Sequence, residues 1–255
     1  MEKKTIGVIG GLGPEASVYL TELITHMVDA RRDQDHPRFI HYSIPDTPDR
    51  TAYILGDHSP DKEKDDPFPY LLEAAKTLER AGADFLVIPC VTAQYFYERL
   101  REHVGISILP LCADVAGSVE RRGIKRVAVF ATDGTNESGI LGKTFEDKGI
   151  EVIMPDASSQ AAVMSLIYDN VKTGNVNTKD GSLRAVHELD RLTGRMLDEG
   201  AEVVILGCTE LSLIHRRAYM IGSEYMDRYV DILEILAGCA VRMSGAPVKK
   251  VWSAF

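Results

Sequence analysis

Apolar residues along the chain fall into two alternating patterns. Short continuous runs, such as Thr5–Ile9 and Phe85–Ile88, are bounded by glycine, proline or polar residues and predict buried strands, and Arg38–Ile44 reads as the second strand. Between them lie longer segments with helical apolar spacing: Pro14–Val28, Tyr70–Ala81 ended by Gly82, Thr92–Val104 and Ala113–Arg122. Ser107–Leu111 reads as another short strand. The alternation then restarts, with strands at Lys125–Phe130 and Gly149–Met154 and helices at Ala161–Val171 and Leu183–Glu199. A last amphipathic helix, Asp231–Met243, has its simplest packing partner in the first half of the chain. Residues 56–69, polar and punctuated by prolines, predict a long loop of lid or rim type. Strand and helix alternating throughout predict parallel sheets covered on both faces, an α/β fold.

The pattern also repeats. Gly82-Ala83-Asp84-Phe85-Leu86-Val87-Ile88-Pro89-Cys90 aligns with Gly200-Ala201-Glu202-Val203-Val204-Ile205-Leu206-Gly207-Cys208 at an offset of 118. The strand, glycine-rich turn and helix that open the chain recur after residue 125. A duplicated unit is expected, with one lobe of residues 1–113 plus 226–255 and another of 114–225, facing each other across a cleft. In open parallel sheets the C-terminal strand ends form the ligand crevice, and each lobe carries a cysteine there.

Composition narrows the class. At 45% hydrophobic and 26% charged residues, the chain has the make-up of a soluble globular protein with material for a real core. A formal charge of −9 without a dense basic block argues against nucleic-acid binding. The start of the chain carries too short an apolar run for a signal peptide or membrane span, so a cytoplasmic protein is expected. Cys90, Cys112, Cys208 and Cys239 are scattered with no C-x-x-C pair, which speaks against a disulfide framework or structural zinc. His187-Glu188 lacks the second histidine of a zinc-protease helix.

A thiol at a strand end beside a helix N-terminus is favoured as thiolate. Two of them, Cys90 and Cys208, suit a reaction in which one sulfur removes a proton from a carbon and the other returns one to the opposite face. The competing reading makes both small buried hydrophobes. Arg50, just past a strand end, offers a planar fork for a carboxylate, or is a loop arginine facing water. Thr132, Thr135 and Ser138 follow the fifth strand, where hydroxyl and backbone donors suit an anion. Asp114 and Glu210 are candidates for tuning the thiols, Glu210 alternatively capping the helix that follows. Gly11-x-Gly13-x-x-Ala16 matches a dinucleotide fingerprint, but Pro14 removes an N–H that would face a pyrophosphate.

The segments VIGGLGPEAS, IPDTPDRT, PCVTA, ATDGTNESG and LGCTEL, in that order and across nearly the whole chain, resemble the aspartate/glutamate racemase family. The resemblance implies two pseudo-symmetric Rossmann-like lobes with the active site in the cleft between them. It implies a cofactor-independent isomerase, usually a homodimer, that moves a proton at the α-carbon of an amino acid. By position it makes Cys90 and Cys208 the acid/base pair and Arg50 the grip on a carboxylate. Lys172 would lie near a side-chain carboxylate, with Gly11, Val91, Thr92, Thr132, Thr135, Thr209 and Glu210 around the substrate. Where the family usually has Asn after the first cysteine and often His three residues later, this chain has Val91 and, in its Cys90-Val91-Thr92-Ala93-Gln94 run, Gln94. Val91 cannot hydrogen-bond through its side chain, which leaves the substrate open. Other outcomes within the same superfamily are a decarboxylase, a cis–trans isomerase, or a binding protein that lost turnover.

Overall fold

A computed structural model describes residues 3–57 and 65–250. The chain divides into two compact units, Met1–Asp114 with Leu233–Phe255, and Val115–Ile232. The first contains β1 (Ile6–Gly10), α1 (Pro14–Met27), β2 (Phe39–Ser43), α2 (Arg50–Leu55), α3 (Phe68–Arg80), β3 (Phe85–Val87), α4 (Tyr97–Arg101) and β4 (Ser107–Ile108). Helix α5 (Leu111–Arg121) carries the chain across the boundary. The second unit holds β5 (Arg126–Phe130), α6 (Asp133–Ser138), α7 (Ile140–Glu146), β6 (Glu151–Ile153), α8 (Ala157–Ser165), α9 (Lys179–Asp198), β7 (Val203–Leu206), α10 (Thr209–Ile221) and β8 (Tyr229–Asp231). Helix α11 (Ile232–Ser244) returns the chain to the first unit.

Each unit has one four-stranded, all-parallel sheet, ordered β2-β1-β3-β4 in the first and β6-β5-β7-β8 in the second. The order is the same, so the repeat read from the sequence is a repeat of topology. In both sheets the strand order reverses beside the first strand, the place where open α/β sheets gather ligands. The strands are short, and the inner ones are buried on both faces, while β2 and β6 at the sheet edges are partly exposed. Val127 to Phe130 and Val203 to Leu206 are all at most 5% exposed, which is why they read as continuous apolar runs rather than alternating ones.

Matched residues at the start of the repeat have a structural reason. Gly82 and Gly200 end α3 and α9 at φ +95° and +98°, a left-handed turn that penalises any residue with a Cβ. The next N–H of each closes the helix end, Ala83 to Leu78 O at 3.0 Å and Ala201 to Met196 O at 3.0 Å. Asp84 and Glu202 then tie down the edge of the neighbouring strand. Asp84 Oδ2 accepts from Thr5 N–H at 2.6 Å, and Glu202 Oε1 from Arg126 N–H at 2.9 Å.

Several elements depart from the apolar spacing. Thr92–Val104 is not one helix: residues Thr92–Phe96 wind as a 3-10 helix before the short α4. Three residues per turn stack Ala93 and Phe96, both fully buried, on one side. Pro110 halts the strand expected over Ser107–Leu111 after Ile108, and Leu111 already belongs to α5. The helix expected from Ala161 begins at Ala157, where Asp156 accepts from Ser159 N–H at 2.8 Å, and continues beyond Ser165 as a π-helix over Leu166–Val171. Strand β8 is too short for its periodicity to announce it. Of the expected loop at 56–69, residues 58–64 lie outside the described residues, and Phe68 already starts α3.

The first unit's core, among others Ile9, Leu71, Leu78, Leu86, Ile88 and Phe96, packs beneath the β3 end. Tyr53 and Phe68 lie against Phe96 with ring centroids at 5.5 and 6.4 Å. The return segment after α11 is stitched on by Asp29 N–H to Pro247 O and Lys249 N–H to Met27 O, both 2.8 Å.

Candidate active site

The turn after β1 is closed upon itself. Gly11 sits at φ +89°, and a Cβ there would come within 2.5 Å of Ile44 N. Its N–H donates to Ser17 Oγ at 3.0 Å, and Ser17 Oγ donates to Gly13 O at 2.8 Å. The amide that a dinucleotide phosphate would use is thus engaged inside the turn.

Arg50 opens α2, capped by Asp49, whose Oδ1 accepts from Ala52 N–H at 3.0 Å. Its Nη1 donates to Thr47 O at 3.2 Å and Pro48 O at 3.0 Å, and its Nη2 to Leu12 O at 2.8 Å. The guanidinium therefore braces the turn after β2 against the turn after β1. The sequence suggests a fork aimed at a carboxylate; here three of the guanidinium's five N–H donors hold backbone carbonyls.

Cys90 follows Ile88 and Pro89 at the end of β3, 6% exposed, with its N–H donated to Ile88 O at 2.8 Å. Val91 and Thr92 beside it are buried, at 2% and 6%. Gln94 is buried too, with Nε2 3.4 Å from Ile88 O.

Cys208 follows β7 at the matched place, 7% exposed, as the extended N-cap of the 13-residue α10. Its Sγ–H donates to Glu210 Oε2 at 2.9 Å, and Thr209 Oγ1 donates to the same oxygen at 3.3 Å. The helix N-terminus favours negative charge here, and the first-turn carboxylate supplies it. Glu210 is buried, so the thiol and hydroxyl are partners it needs.

After β5, Thr132 caps α6, its Oγ1 accepting from Thr135 N–H at 3.2 Å, with the two hydroxyls 3.1 Å apart. Ser138 Oγ donates to Thr135 O at 2.7 Å, closing that short helix rather than presenting a free hydroxyl. Lys172 caps the π-helix, and its Nζ lies 3.7 Å from the centre of the Tyr168 ring, a cation–π contact. In the first unit, then, the structure gathers Gly11, Arg50, Cys90, Val91 and Thr92 on the ends of β1, β2 and β3. In the second, Thr132, Thr135, Cys208, Thr209 and Glu210 hold the ends of β5 and β7.

The other two thiols are set apart by their surroundings. Burial pushes the Cys112 thiol up to about 12, and burial, then the Asp114 charge, raises Cys239. Neither is a ready nucleophile at neutral pH. Sequence spacing missed a buried group on the second unit's strand end, Ser212, His215 and Asp231. Ser212 and His215 share a helix face at i, i+3, but Asp231 joins them only through the fold.

Two parallel α/β sheets, each delivering a cysteine from the strand next to its switch point, define a two-lobed class of protein with one strand-end thiol per lobe. Comparison with known proteins identifies the family. Residues 9–237 match the family described as Asp/Glu/Hydantoin racemase, and the chain belongs to that family. The broad specificity amino-acid racemase RacX of Bacillus subtilis is 26% identical over 213 residues, 82% of this chain and 86% of that protein. The aspartate racemase of Picrophilus torridus superposes with a TM-score of 0.81 at 28% identity, covering 98% of each chain. An aspartate racemase homologue from Pyrococcus horikoshii gives 0.70 at 26% identity, over 95% of this chain and 99% of that one. Among the described residues no helix is long and apolar enough to cross a membrane.

Proposed function

We propose that the protein is an amino-acid racemase that needs no cofactor and moves the α-proton between two sulfurs, Cys90 and Cys208. The observation that carries this reading is the matched placement of the two thiols, each buried at the end of the third strand of its own parallel sheet. A thiol near neutrality in its proton affinity serves as base in one direction and acid in the other. Cys208 rests protonated, because a sulfur 2.9 Å from a carboxylate oxygen needs a proton between them. Cys90 then abstracts the α-proton of one enantiomer, and Cys208 delivers its proton to the other face of the planar carbanion. For the reverse direction the roles exchange.

The substrate carboxylate lies among the donors of the strand-end turns. Arg50 contributes positive charge there, its guanidinium held in place by the three carbonyls that Nη1 and Nη2 engage. Lys172 attracts a side-chain carboxylate when the substrate has one. Val91 in place of an amide removes one polar contact, which favours a broader choice of amino acid than aspartate and glutamate alone. The protein works in the cytoplasm as a homodimer.

The test is a screen of amino acids in heavy water with no cofactor added, read by chiral chromatography and mass spectrometry. Racemisation with one solvent deuterium at the α-carbon is expected for at least one acidic or polar amino acid. Carbon dioxide release, or tight binding with no exchange, would replace this reading with a decarboxylase or a binding protein.

A further inference from the structure

A buried carboxylate closes the strand-to-helix elbow that carries Cys208. Asp231 is the last residue of β8, and the register sets it beside Leu206, two residues before Cys208. Each of its oxygens accepts a hydrogen bond from α10: Oδ1 from Ser212 Oγ at 2.7 Å, Oδ2 from His215 Nδ1 at 3.0 Å. The Asp231 side chain is 0% exposed and that of His215 10%. The His215 ring also meets the edge of Tyr229, from the same strand, with centroids 5.4 Å apart. A carboxylate this deep is tolerated only with such partners. The chemistry proposed for the two cysteines uses none of these groups.

Their place on the helix gives them a consequence. Ser212 is four residues after Cys208 and so lies one turn along the same face of α10. Whatever fixes the rotation of α10 at Ser212 and His215 fixes it at the N-cap, where Cys208 Sγ meets Glu210 Oε2. We infer that Asp231 is a positioning residue which, through Ser212 and His215, holds α10 in the rotation that keeps the Cys208 thiol on the Glu210 carboxylate. This builds on the role proposed for Cys208, yet its test reads the reactivity of a sulfur and needs no racemisation.

The experiment is alkylation of the intact protein with iodoacetamide, followed cysteine by cysteine by peptide mass spectrometry. Cys90 in the same molecule reports any general loosening. Asp231→Asn keeps the shape and removes the charge that both donors need. Cys208 should then alkylate about tenfold faster, because a sulfur released from the carboxylate at a helix N-terminus spends more time as exposed thiolate, while Cys90 keeps its rate. Ser212→Ala should give a smaller rise in the same direction, and Ser212→Thr, which keeps the hydroxyl, should restore the parent rate. A folded Asp231→Asn protein whose Cys208 rate is unchanged, or whose Cys90 accelerates equally, overturns the inference. Should Asp231→Asn fail to fold by circular dichroism, Ser212→Ala decides by the same two criteria.

Discussion

The elbow after β3 and the elbow after β7 carry cysteines at matched positions, yet they are supported by opposite means. Beneath Cys90 the support is apolar: a 3-10 turn drives Phe96 into the core against Tyr53 and Phe68. Around Cys208 it is polar: Glu210 takes the thiol, and Asp231 ties α10 to the sheet. The alignment that pairs Cys208 with Cys90 pairs Leu206 with Ile88. Carrying the β3–β4 register two residues past Leu86 and Ile108 puts Pro110 where the second unit has Asp231. Proline offers no side-chain hydrogen bond, so this position cannot tie down the first elbow as Asp231 ties down the second. Duplication kept what the backbone demands and rebuilt what surrounds the sulfur. One thiol donates to a first-turn carboxylate with no equivalent at the matched position of the other, Val91-Thr92 standing where Thr209-Glu210 follow Cys208.

The sharpest way to break the comparison is to remove each sulfur. Cys90→Ser and Cys208→Ser should each lower racemisation by about 10³-fold, the scale of losing a positioned acid or base. Each single variant should still wash solvent deuterium into one enantiomer only, because one base suffices for one-sided exchange. Chiral separation of the deuterated product checks this, and parent rates in both variants would falsify the assignment.

The supports can be tested next. Phe96→Ala empties the apolar base of the Cys90 elbow and should cost about 3–5 kcal/mol in chemical denaturation, the usual range for a buried phenylalanine. Glu210→Gln removes the charge beside Cys208 and should raise the alkylation rate of Cys208 by roughly tenfold without touching Cys90, as expected when a like charge is taken from an acid. Equal changes at both cysteines would show that the two elbows are not independent.

The smallest effect concerns α8, which leads into the segment ending at Lys172. Asp156 is held down to about 2, first by the Ser159 N–H, then by the Ser158 hydroxyl, with Arg195 adding a weaker pull. A depressed carboxyl stabilises the fold above its ordinary value near 3.8 and loses that contribution as pH falls towards about 2. Asp156→Ala should therefore lower Tm modestly at pH 7, and the gap from the parent should close between about pH 4 and 2, as thermal scans across pH will show.

Much of the fold is legible in the residues because it follows from local rules. Buried parallel strands read as apolar runs, and Gly82 and Gly200 read as helix ends because only glycine takes that backbone without strain. Cys90 and Cys208 are found at strand ends for the same reason: the runs stop there. Local pattern failed where a distant partner chose the conformation. Thr92–Phe96 has residues that suit an α-helix, but a 3-10 turn seats Ala93 and Phe96 together in a core whose other walls come from α2 and α3.

The chain by itself determined the two-fold repeat, the parallel α/β class, the family and the two cysteines singled out for chemistry. Each of these rests on periodicity, a turn residue or a motif, which are properties of neighbours in sequence. Only the tertiary structure decided that Arg50 braces two turns through backbone carbonyls, and that Asp231 grips α10 from a neighbouring strand. The bonds from Arg50 to Leu12 and from α10 to Asp231 join residues 16 to 38 positions apart, and burial is what makes them strong enough to matter; neither is written in any local pattern.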